Sequence, residues 1–252
     1  MVVNVAIVGV GLVGSEFIRQ VLTTQSKKIA VVAVANSRQM LISSSPLTAS
    51  WKDELSSGAA TKPFTLEAFT SSLAASKASH PTVVLDCTSN ETVAAYYPTW
   101  IEAGFHVVTP NKKAFSGDLA LYKKIKELSS QPGSPLVYHE STVGAGLPVI
   151  NTLNDLVNTG DKIVKIEGIF SGTLSYIFNN FSTLDTNAKP VKFSEVVTVA
   201  KDLGYTGSDN IIAFTTERFP SPLIIQGSGA GAAVTAFGIY SDILKIAERT
   251  QH

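Results

Sequence analysis

Runs of consecutive apolar residues alternate with amphipathic stretches between Val2 and Ser141. The apolar runs have the length and β-branched content of buried strands; they are VVNVAIVG, IAVVAVANS, PTVVLDCTS, FHVVTPN and SPLVYHES. The stretches between them repeat apolar residues at helical spacing; they include GSEFIRQVLTTQ, TLEAFTSSLAAS, GDLALYKKIKELSSQ and ETVAAYYPTWIEAG, the last predicted as one helix ending at Gly104. This alternation indicates an α/β fold with a parallel sheet that helices cover on both faces.

The pattern changes after Gly146. LPVINTLNDLVNTG, TLSYIFNNFST, FSEVVTVAKDLGY and GAAVTAFGIYSDILKIAER are predicted helices, whereas DKIVKIEGIFSG, NIIAFTTERF and SPLIIQGS are predicted strands. We therefore expect a doubly wound parallel sheet in residues 1–145, completed by residues 220–252, and a second, reduced α+β region in residues 146–219.

Composition narrows the classes of protein that fit this pattern. The chain has 20 basic and 20 acidic residues, so no charge excess favours a nucleic-acid partner or an acidic membrane. Its single cysteine, Cys87, excludes an intrachain disulfide framework. The N-terminal apolar run ends at Val8 and is too short to span a membrane. We expect a soluble, cytoplasmic protein.

A glycine motif lies directly between the first predicted strand and the first predicted helix. In VAIVGVGLVGSEF, Gly9, Gly11 and Gly14 have the spacing GxGxxG. The first glycine permits a tight turn, the second lets a pyrophosphate approach the main chain, and the third packs the helix on the strand. The free N–H groups of the helix N-terminus then hold phosphate. The motif predicts a Rossmann-type dinucleotide-binding unit, and a glycine turn made for packing alone is the alternative.

The end of the second strand bears on the choice of cofactor. An acidic residue there would bind the ribose 2′-hydroxyl of NAD, but the chain has Ala35, Asn36, Ser37 and Arg38. With no acid and a nearby arginine, a 2′-phosphate is the better fit. We predict NADP with Arg38 as a ligand, while NAD, with Arg38 on a solvated loop, stays open.

Polar residues follow three further predicted strands, at the edge where such sheets bind ligands. They are Thr88-Ser89-Asn90, Thr109-Pro110-Asn111-Lys112-Lys113 and His139-Glu140-Ser141-Thr142. Lys112 or Lys113 would place a positive charge near the nicotinamide or a substrate oxygen, and a surface lysine is the alternative for each.

Glu140 introduces a candidate cation site. It precedes a turn with Gly144 and Gly146, where main-chain carbonyls are easily exposed. One carboxylate with several carbonyls suits a hard cation, although an ordinary turn fits the same residues. His106 and His139 are isolated in or beside strands, so we interpret both as structural.

Together these segments resemble homoserine dehydrogenase, in particular its fungal form. The resemblance extends over nearly the whole chain and rests on VGVGLVGSEF, TPNKKAFSGDL, YHESTVGAGLPVI, KIEGIFSGTLSYIFN, VAKDLGYT and IIQGSGAGAAVTAFGI. It implies an NAD(P)-dependent oxidoreductase of amino-acid biosynthesis that interconverts aspartate semialdehyde and L-homoserine.

The resemblance also implies roles for individual residues. The cofactor phosphates would lie on Gly9, Gly11, Leu12, Val13 and Gly14, and the nicotinamide side would lie near Thr88 and Ser89, with Gly231 returning to the cofactor. Lys112 resembles the active-site lysine, which also lies beside the cofactor. The remaining roles are a sodium site of Glu140 with the carbonyls of Val143, Ala145 and Leu147, and a substrate pocket bordered by Gly172, Thr173 and Tyr205. The second region would take part in substrate binding and in a homodimer, in which KIEGIF pairs across a two-fold axis.

The chain departs from the family pattern at one join. After LGYT, the family continues with an acidic segment that ends in an aspartate and a lysine one helical turn apart, which bind homoserine and move the proton. Here Thr206 is followed directly by Gly207. About one domain of sequence, on the order of 100 residues, is missing at this join, and the aspartate and the second lysine are missing with it.

Two explanations of the join remain open. Either the intervening residues are present in a longer protein, or the deletion is real, and a mass near 26.7 kDa for the purified protein would identify the second case. A real short form leaves two further alternatives. It is an NADPH-dependent reductase of another carbonyl or imine, or it is a non-catalytic NADP-binding module.

Overall fold

The computed structural model describes residues 2–76, 80–170 and 209–250. Two compact units make up the chain. Met1–Thr142 and Ala232–His252 form the first, and Val143–Gly231 forms the second. The functional division into a dinucleotide-binding region and a substrate region remains a prediction.

The first unit contains a mixed, mostly parallel sheet. Within the described residues this sheet has seven strands in the order β4-β3-β2-β1-β5-β6-β7. Its strands are β1 (Val3–Val8), β2 (Ile29–Ala35), β3 (Gln39–Ile42), β4 (Thr61–Pro63), β5 (Thr82–Asp86), β6 (His106–Val108) and β7 (Val137–Tyr138). Strands β2, β1, β5, β6 and β7 pair in parallel, which confirms the predicted parallel sheet.

Helices cover the two faces of this sheet. They are α1 (Leu12–Thr24), α2 (Trp51–Ser57), α3 (Leu66–Ala75), α4 (Glu91–Ala95), α5 (Tyr97–Glu102), α6 (Lys113–Ser116), α7 (Leu119–Ser129) and, after the second unit, the helix Ala232–Arg249. One face packs Val5 and Ile7 of β1 with Phe17 of α1 and Ile239 of the last helix. The other face buries Ala6 and Val8 of β1 with α3 and α5. Successive residues of one strand thus enter opposite cores, as a doubly covered sheet requires.

Two features of the first unit differ from the sequence-based expectation. Strands β3 and β4 run antiparallel at one edge, and neither they nor α2 was predicted. All three elements are short, and the polar residues that separate them obscure the spacing of their apolar residues. The helix predicted in ETVAAYYPTWIEAG is instead two helices that meet at Tyr96. Pro98 in the first turn of α5 explains the break, since proline has no N–H to donate to the carbonyl four residues earlier.

The second unit has its own antiparallel sheet and core. Its described elements are α8 (Val149–Asn158), β8 (Ile163–Ile169), β9 (Asp209–Thr216) and β10 (Leu223–Ser228), and its described strands run in the order β10-β9-β8. Val149 and Leu156 of α8 pack with Ile212 and Phe214 of β9. Alternate residues of β9 are buried, so one face of this sheet supports α8. The helix Ala232–Arg249, which follows β10 and closes the first unit, is called α9 below.

Some predictions fall beyond the residues that the structure describes. They include the helices expected in TLSYIFNNFST and FSEVVTVAKDLGY and the join between Thr206 and Gly207.

The burial of α9 predicts a large difference between two substitutions on the same helix. Ile239 is fully buried, whereas Phe237 is 57% exposed. Ile239→Ala should lower the free energy of unfolding by about 2–5 kcal/mol, the cost of a cavity in a packed core. Phe237→Ala should change it by less than about 0.5 kcal/mol. Urea unfolding of both variants measures this, and equal losses would contradict the packing of α9 into the first unit.

Candidate functional site

The loop between β1 and α1 has the backbone geometry that the glycine motif predicts. Gly9 has φ of 95°, a conformation that disfavours side chains, and its N–H donates to the Ala35 carbonyl at 2.9 Å. A Cβ atom on Gly14 would lie 2.4 Å from the Gly9 carbonyl oxygen. By contrast, a Cβ atom on Gly11 would meet no atom within 4 Å. The outer two glycines are required by close contacts, and the middle one leaves open space beside the helix.

The N-terminus of α1 borders that open space. Gly11 is the N-cap and offers no capping side chain, and the first turn carries no acidic residue. Leu12 is 86% exposed. The first N–H groups of a helix have no intrahelical partner, and together with the helix dipole they favour an anion. A pyrophosphate therefore fits at Gly11, Leu12 and Val13.

The turn after β2 contains the residues predicted to select the cofactor. The Asn36 side-chain oxygen accepts hydrogen bonds from the N–H groups of Arg38 at 2.8 Å and Gln39 at 2.9 Å. This turn leaves the Arg38 side chain exposed. A surface cavity of about 380 Å³ adjoins the turn and the glycine loop, and it is lined by Val10, Ser15, Asn36, Gln39, Trp51, Lys52, Leu55 and Ser56. Lys52 was not predicted from the sequence because it lies on α2, which the hydrophobic pattern does not reveal.

A buried carboxylate lies at the end of β5. Asp86 is fully buried, and its Oδ1 accepts a hydrogen bond from the Thr88 N–H at 2.7 Å. Its Oδ2 accepts from the Tyr97 hydroxyl at 2.6 Å and from the Asn111 amide at 2.9 Å. Burial raises the pKa of the Asp86 carboxyl, and the hydrogen bonds that it accepts offset part of this effect. Asp86 was not predicted from the sequence, although an acid that ends an otherwise apolar strand is a signal of such a site.

The same network extends to the end of β6. The Thr109 hydroxyl donates to the Asp86 carbonyl at 2.8 Å, and it accepts from the Asn111 N–H at 2.8 Å. The Asn111 side-chain oxygen in turn accepts from the Lys113 N–H at 3.1 Å. Lys112 is the exposed N-cap of α6. The segment TPNKK is thus bonded to the carboxylate at the end of the neighbouring strand.

Thr88 and Ser89 lie between that carboxylate and α4. The Thr88 hydroxyl accepts from the Asn90 N–H at 3.1 Å. Asn90 caps α4 through a 2.7 Å bond from the Thr92 N–H, and its carbonyl accepts from Asn111 at 3.0 Å. Predicted ligands from two strand ends, Thr88 with Ser89 and Lys112, are therefore brought to one edge of the sheet.

The turn that contains Glu140 is held by α9. Glu140 is 4% exposed, and its N–H donates to Asp242 Oδ2 at 3.0 Å. The Ser141 hydroxyl donates to the Thr235 carbonyl at 3.0 Å. Beside the turn, the His139 ring stacks on Phe115 at 3.9 Å. Burial lowers the pKa of His139 to about 4, so its imidazole is neutral at pH 7.

The other histidine, His106, accepts a 2.8 Å hydrogen bond at Nδ1 from the Leu136 N–H, and burial lowers its pKa to about 4. This bond ties the start of β6 to the segment that precedes β7. The contact agrees with the structural role that we assigned to His106.

The predicted sodium ligands come from both compact units. Glu140 belongs to the first unit, whereas Val143, Ala145 and Leu147 belong to the second. Within the second unit, Gly144 and Ala145 both have positive φ, 70° and 54°. Among the described residues, no group of three or more His, Cys, Asp or Glu side chains is arranged to hold a metal. A site made of one carboxylate and main-chain carbonyls remains a prediction.

Four other predicted ligands do not belong to the described strand ends of the first unit. Gly172, Thr173 and Tyr205 lie outside the described residues. Gly231, with φ of 108°, directly precedes α9 and belongs to the second unit.

Family comparisons match nearly the whole chain. A family model described as "Homoserine dehydrogenase, NAD binding domain" matches residues 9–139. A second, described as "Homoserine dehydrogenase", matches residues 148–209 and 206–244 as two segments. The two segments meet at the join between Thr206 and Gly207.

Curated relatives show the same relationship. Homoserine dehydrogenase of Saccharomyces cerevisiae is 35% identical over 361 aligned positions, covering 98% of this chain and 99% of that protein. The enzyme of Emericella nidulans is 32% identical, with coverage of 98% and 99%. Because the alignment with the yeast protein is much longer than the 252 residues of this chain, a long stretch of that relative faces a gap.

Solved structures share the fold. A Candida auris protein described as of unknown function superposes with a TM-score of 0.80 at 35% identity, covering 98% of both chains. A hyperthermophilic archaeal homoserine dehydrogenase mutant in complex with NADPH gives 0.75 at 18% identity, covering 99% of this chain and 98% of that chain. In the part of the chain that the structure describes, no helix is both long and apolar enough to cross a bilayer.

The glycine loop predicts opposite effects for two similar substitutions. Gly14→Ala should lower the stability of the free protein by about 1–3 kcal/mol, because the new methyl group overlaps the main chain of Gly9. Gly11→Ala should lower the stability of the free protein by less than about 1 kcal/mol, the cost of alanine at an N-cap. It should weaken NADPH binding, because the methyl group enters the open space that a pyrophosphate would occupy. Melting temperatures with and without NADPH measure both effects. An undiminished NADPH-induced rise in Gly11→Ala would contradict the placement of the pyrophosphate.

Proposed function

The chain belongs to the homoserine dehydrogenase family, and we propose on that premise that it catalyses the NADPH-dependent interconversion of aspartate semialdehyde and L-homoserine. Its curated relatives are NAD(P)-dependent oxidoreductases that act on a CH–OH group. The observation that carries the proposal is the fixed position of the TPNKK segment. Hydrogen bonds hold it against Asp86, which also accepts the Thr88 N–H, in the unit that contains the glycine loop.

The first unit fits a nicotinamide dinucleotide at two points. The open space at Gly11, beside the N-terminus of α1, suits a pyrophosphate. The cavity that adjoins the turn after β2 suits the adenosine half. When bound, the reduced cofactor supplies the hydride that is added to the aldehyde carbon.

Lys112 supplies the charge that this reaction needs from the protein. Addition of hydride to the aldehyde develops negative charge on the carbonyl oxygen, and a proton must neutralise it. An ammonium group at this oxygen stabilises the developing charge and donates the proton. Lys112 is exposed at the start of α6, where its main chain is fixed and its side chain is available.

NADP is the proposed cofactor. The exposed Arg38 lies in the turn after β2, and Lys52 lines the adjoining cavity. Two cations next to a strand end that lacks an acidic residue favour a 2′-phosphate over a free 2′-hydroxyl.

Further parts of the proposal concern the second region, assembly and location. We propose that Gly172, Thr173 and Tyr205 border the substrate, with Gly231 reaching the cofactor. We also propose that Glu140 binds sodium with the carbonyls of Val143, Ala145 and Leu147.

A cytoplasmic homodimer completes the proposal. Strand β8 occupies one edge of the described second sheet, and an edge strand is a natural site for pairing with another copy. The segment KIEGIF forms most of β8, and its side chains Lys165 and Glu167 are both exposed. The free Cys87 fits a reducing compartment.

The join between Thr206 and Gly207 supports a second candidate function. The family model matches the chain on either side of the join as separate segments, and the aspartate and second lysine expected there are missing. Loss of such groups lowers rates by about 10²–10⁴. A short form without them would reduce a different carbonyl or imine, or bind NADP without turnover. Retention of Lys112 and Glu140 favours an enzyme over a binding module.

Substitution of Lys112 tests the proposed chemistry. In an assay of NADPH oxidation with aspartate semialdehyde, Lys112→Ala should lower kcat by about 10²–10⁴, because the proton donor is lost. Lys113→Ala, which removes the neighbouring exposed charge, should retain activity. Unchanged turnover in Lys112→Ala would remove Lys112 from the mechanism. If the unsubstituted protein is inactive but NADPH raises its Tm, the non-catalytic alternative is supported.

Two further substitutions test the preference for NADP. Arg38→Ala and Lys52→Ala should each weaken NADPH binding about tenfold, the value of one charge-assisted hydrogen bond, and leave NADH binding unchanged. Lys27→Ala, which removes an exposed charge from the loop after α1, is the matched control. Titration of cofactor fluorescence measures the affinity of the unsubstituted protein and of each variant for NADPH and for NADH, and equal losses for the two cofactors would contradict contact with the 2′-phosphate.

A further inference from the structure

The Asp86 carboxylate contacts the two strand-end loops that carry the proposed active-site residues. One oxygen accepts the Thr88 N–H, and the other accepts the side chain of Asn111. A third donor, the Tyr97 hydroxyl, comes from α5. The three donors therefore belong to three separate segments, and this carboxylate accepts a hydrogen bond from each of them.

Burial of the Asp86 carboxylate costs free energy of folding, and the need to fill space in the core does not explain why a charged group is there. Asp86, Tyr97 and Thr109 are all fully buried, and Asn111 is 3% exposed. Burying a carboxylate is unfavourable unless its oxygens are satisfied by hydrogen bonds. Apolar residues of similar volume would fill the same space without this cost. A fully bonded polar network instead fixes one arrangement of the groups that it joins.

We propose that Asp86 and Tyr97 act as positioning residues for the reaction, by holding Lys112 and the Thr88–Ser89 main chain in one geometry. Neither side chain has to touch cofactor or substrate. The inference rests on the proposed function, because it concerns the placement of the proposed proton donor.

The link from Asp86 to Lys112 passes through Asn111. The Asn111 amide nitrogen donates to both Asp86 Oδ2 and the Asn90 carbonyl, so its side-chain oxygen points the other way. That oxygen accepts the Lys113 N–H. The residues on both sides of Lys112 are therefore fixed, since the N–H groups of Asn111 and Lys113 both donate hydrogen bonds. A change at the carboxylate is transmitted to the start of α6 through two hydrogen bonds.

Tyr97 gives the carboxylate a rigid partner. Its ring stacks on Trp100 at 5.7 Å with an interplanar angle of 22°. The same ring lies 6.4 Å from Phe115, two residues after Lys113, and Phe115 is stacked on His139. The ring is held on two sides, and its hydroxyl lies 2.6 Å from Asp86 Oδ2 and 2.9 Å from the Thr109 hydroxyl oxygen. Burial, followed by the nearby Asp86 charge, raises the pKa of Tyr97 well above its ordinary value, which keeps the hydroxyl a donor.

Adjacent tyrosines allow a matched test. Tyr97→Phe removes the hydroxyl that donates to Asp86 and retains the stacked ring. Tyr96→Phe makes the same change one residue earlier, where the ring packs edge-on against Trp100. Asp86→Asn is the second informative variant, because it keeps the shape and removes the charge. Melting temperatures identify any variant that fails to fold.

The first readout is the reactivity of two neighbouring lysines. Trinitrobenzenesulfonate labels exposed amines, and mass spectrometry compares Lys112 with Lys113 in the presence and absence of NADPH. NADPH should protect Lys112 in the unsubstituted protein and in Tyr96→Phe. The protection should fall about tenfold in Tyr97→Phe and Asp86→Asn, because a displaced lysine no longer lies against the cofactor.

The second readout separates positioning from binding. In the carbonyl reduction assay, kcat of Tyr97→Phe should fall about 10- to 100-fold while KM for NADPH changes less than about twofold, as expected for misplacement of a reacting group. Undiminished protection and kcat in both variants would overturn the inference alone. Absence of protection at Lys112 in the unsubstituted protein would overturn the proposed function and the inference with it.

Discussion

The hydrogen bonds to the buried Asp86 carboxylate fix the two loops that follow β5 and β6 at the ligand-binding edge of the first unit. Parallel strands end side by side, but pairing in the sheet does not specify the path of the loops that follow them. Here Thr88 and Asn111 are fixed because they donate to the same buried side chain. The glycine loop needs no such partner, since its path is set by the approach of Gly14 to the Gly9 carbonyl. A close main-chain contact and a buried charge thus organise two adjacent parts of one edge.

Sequence patterns predicted the elements whose structure depends on residues that are neighbours in the chain. The parallel strands and the glycine loop were predicted from continuous apolar runs and from residue spacing. The edge strands β3 and β4 and the helix α2 were missed because they are short and interrupted by polar residues. Lys52 was missed with α2, and the break at Tyr96 was missed because Pro98 is also compatible with the first turn of a helix.

The Asp86 network could not be predicted from spacing. Tyr97 and Asn111 lie 11 and 25 residues from Asp86 along the chain, and no periodicity relates such separations. Only the order of the strands brings these residues together. Lys112 and the glycine loop, in contrast, were predicted because their motifs are contiguous. The residues expected to border the substrate were predicted only through the resemblance, and they lie outside the described residues.

The pairing of β8 with β9 has a consequence for the length of the chain. Ile169 is paired with Ile211, so the two ends of the segment that joins β8 to β9 lie side by side. Closing a flexible loop costs only about 0.6 kcal/mol more for each doubling of its length. The sheet therefore sets little constraint on how much chain leaves at Phe170 and returns at Asp209. The register of β8 and β9 thus fixes where the chain leaves and rejoins this sheet, whatever the length of chain between the two strands.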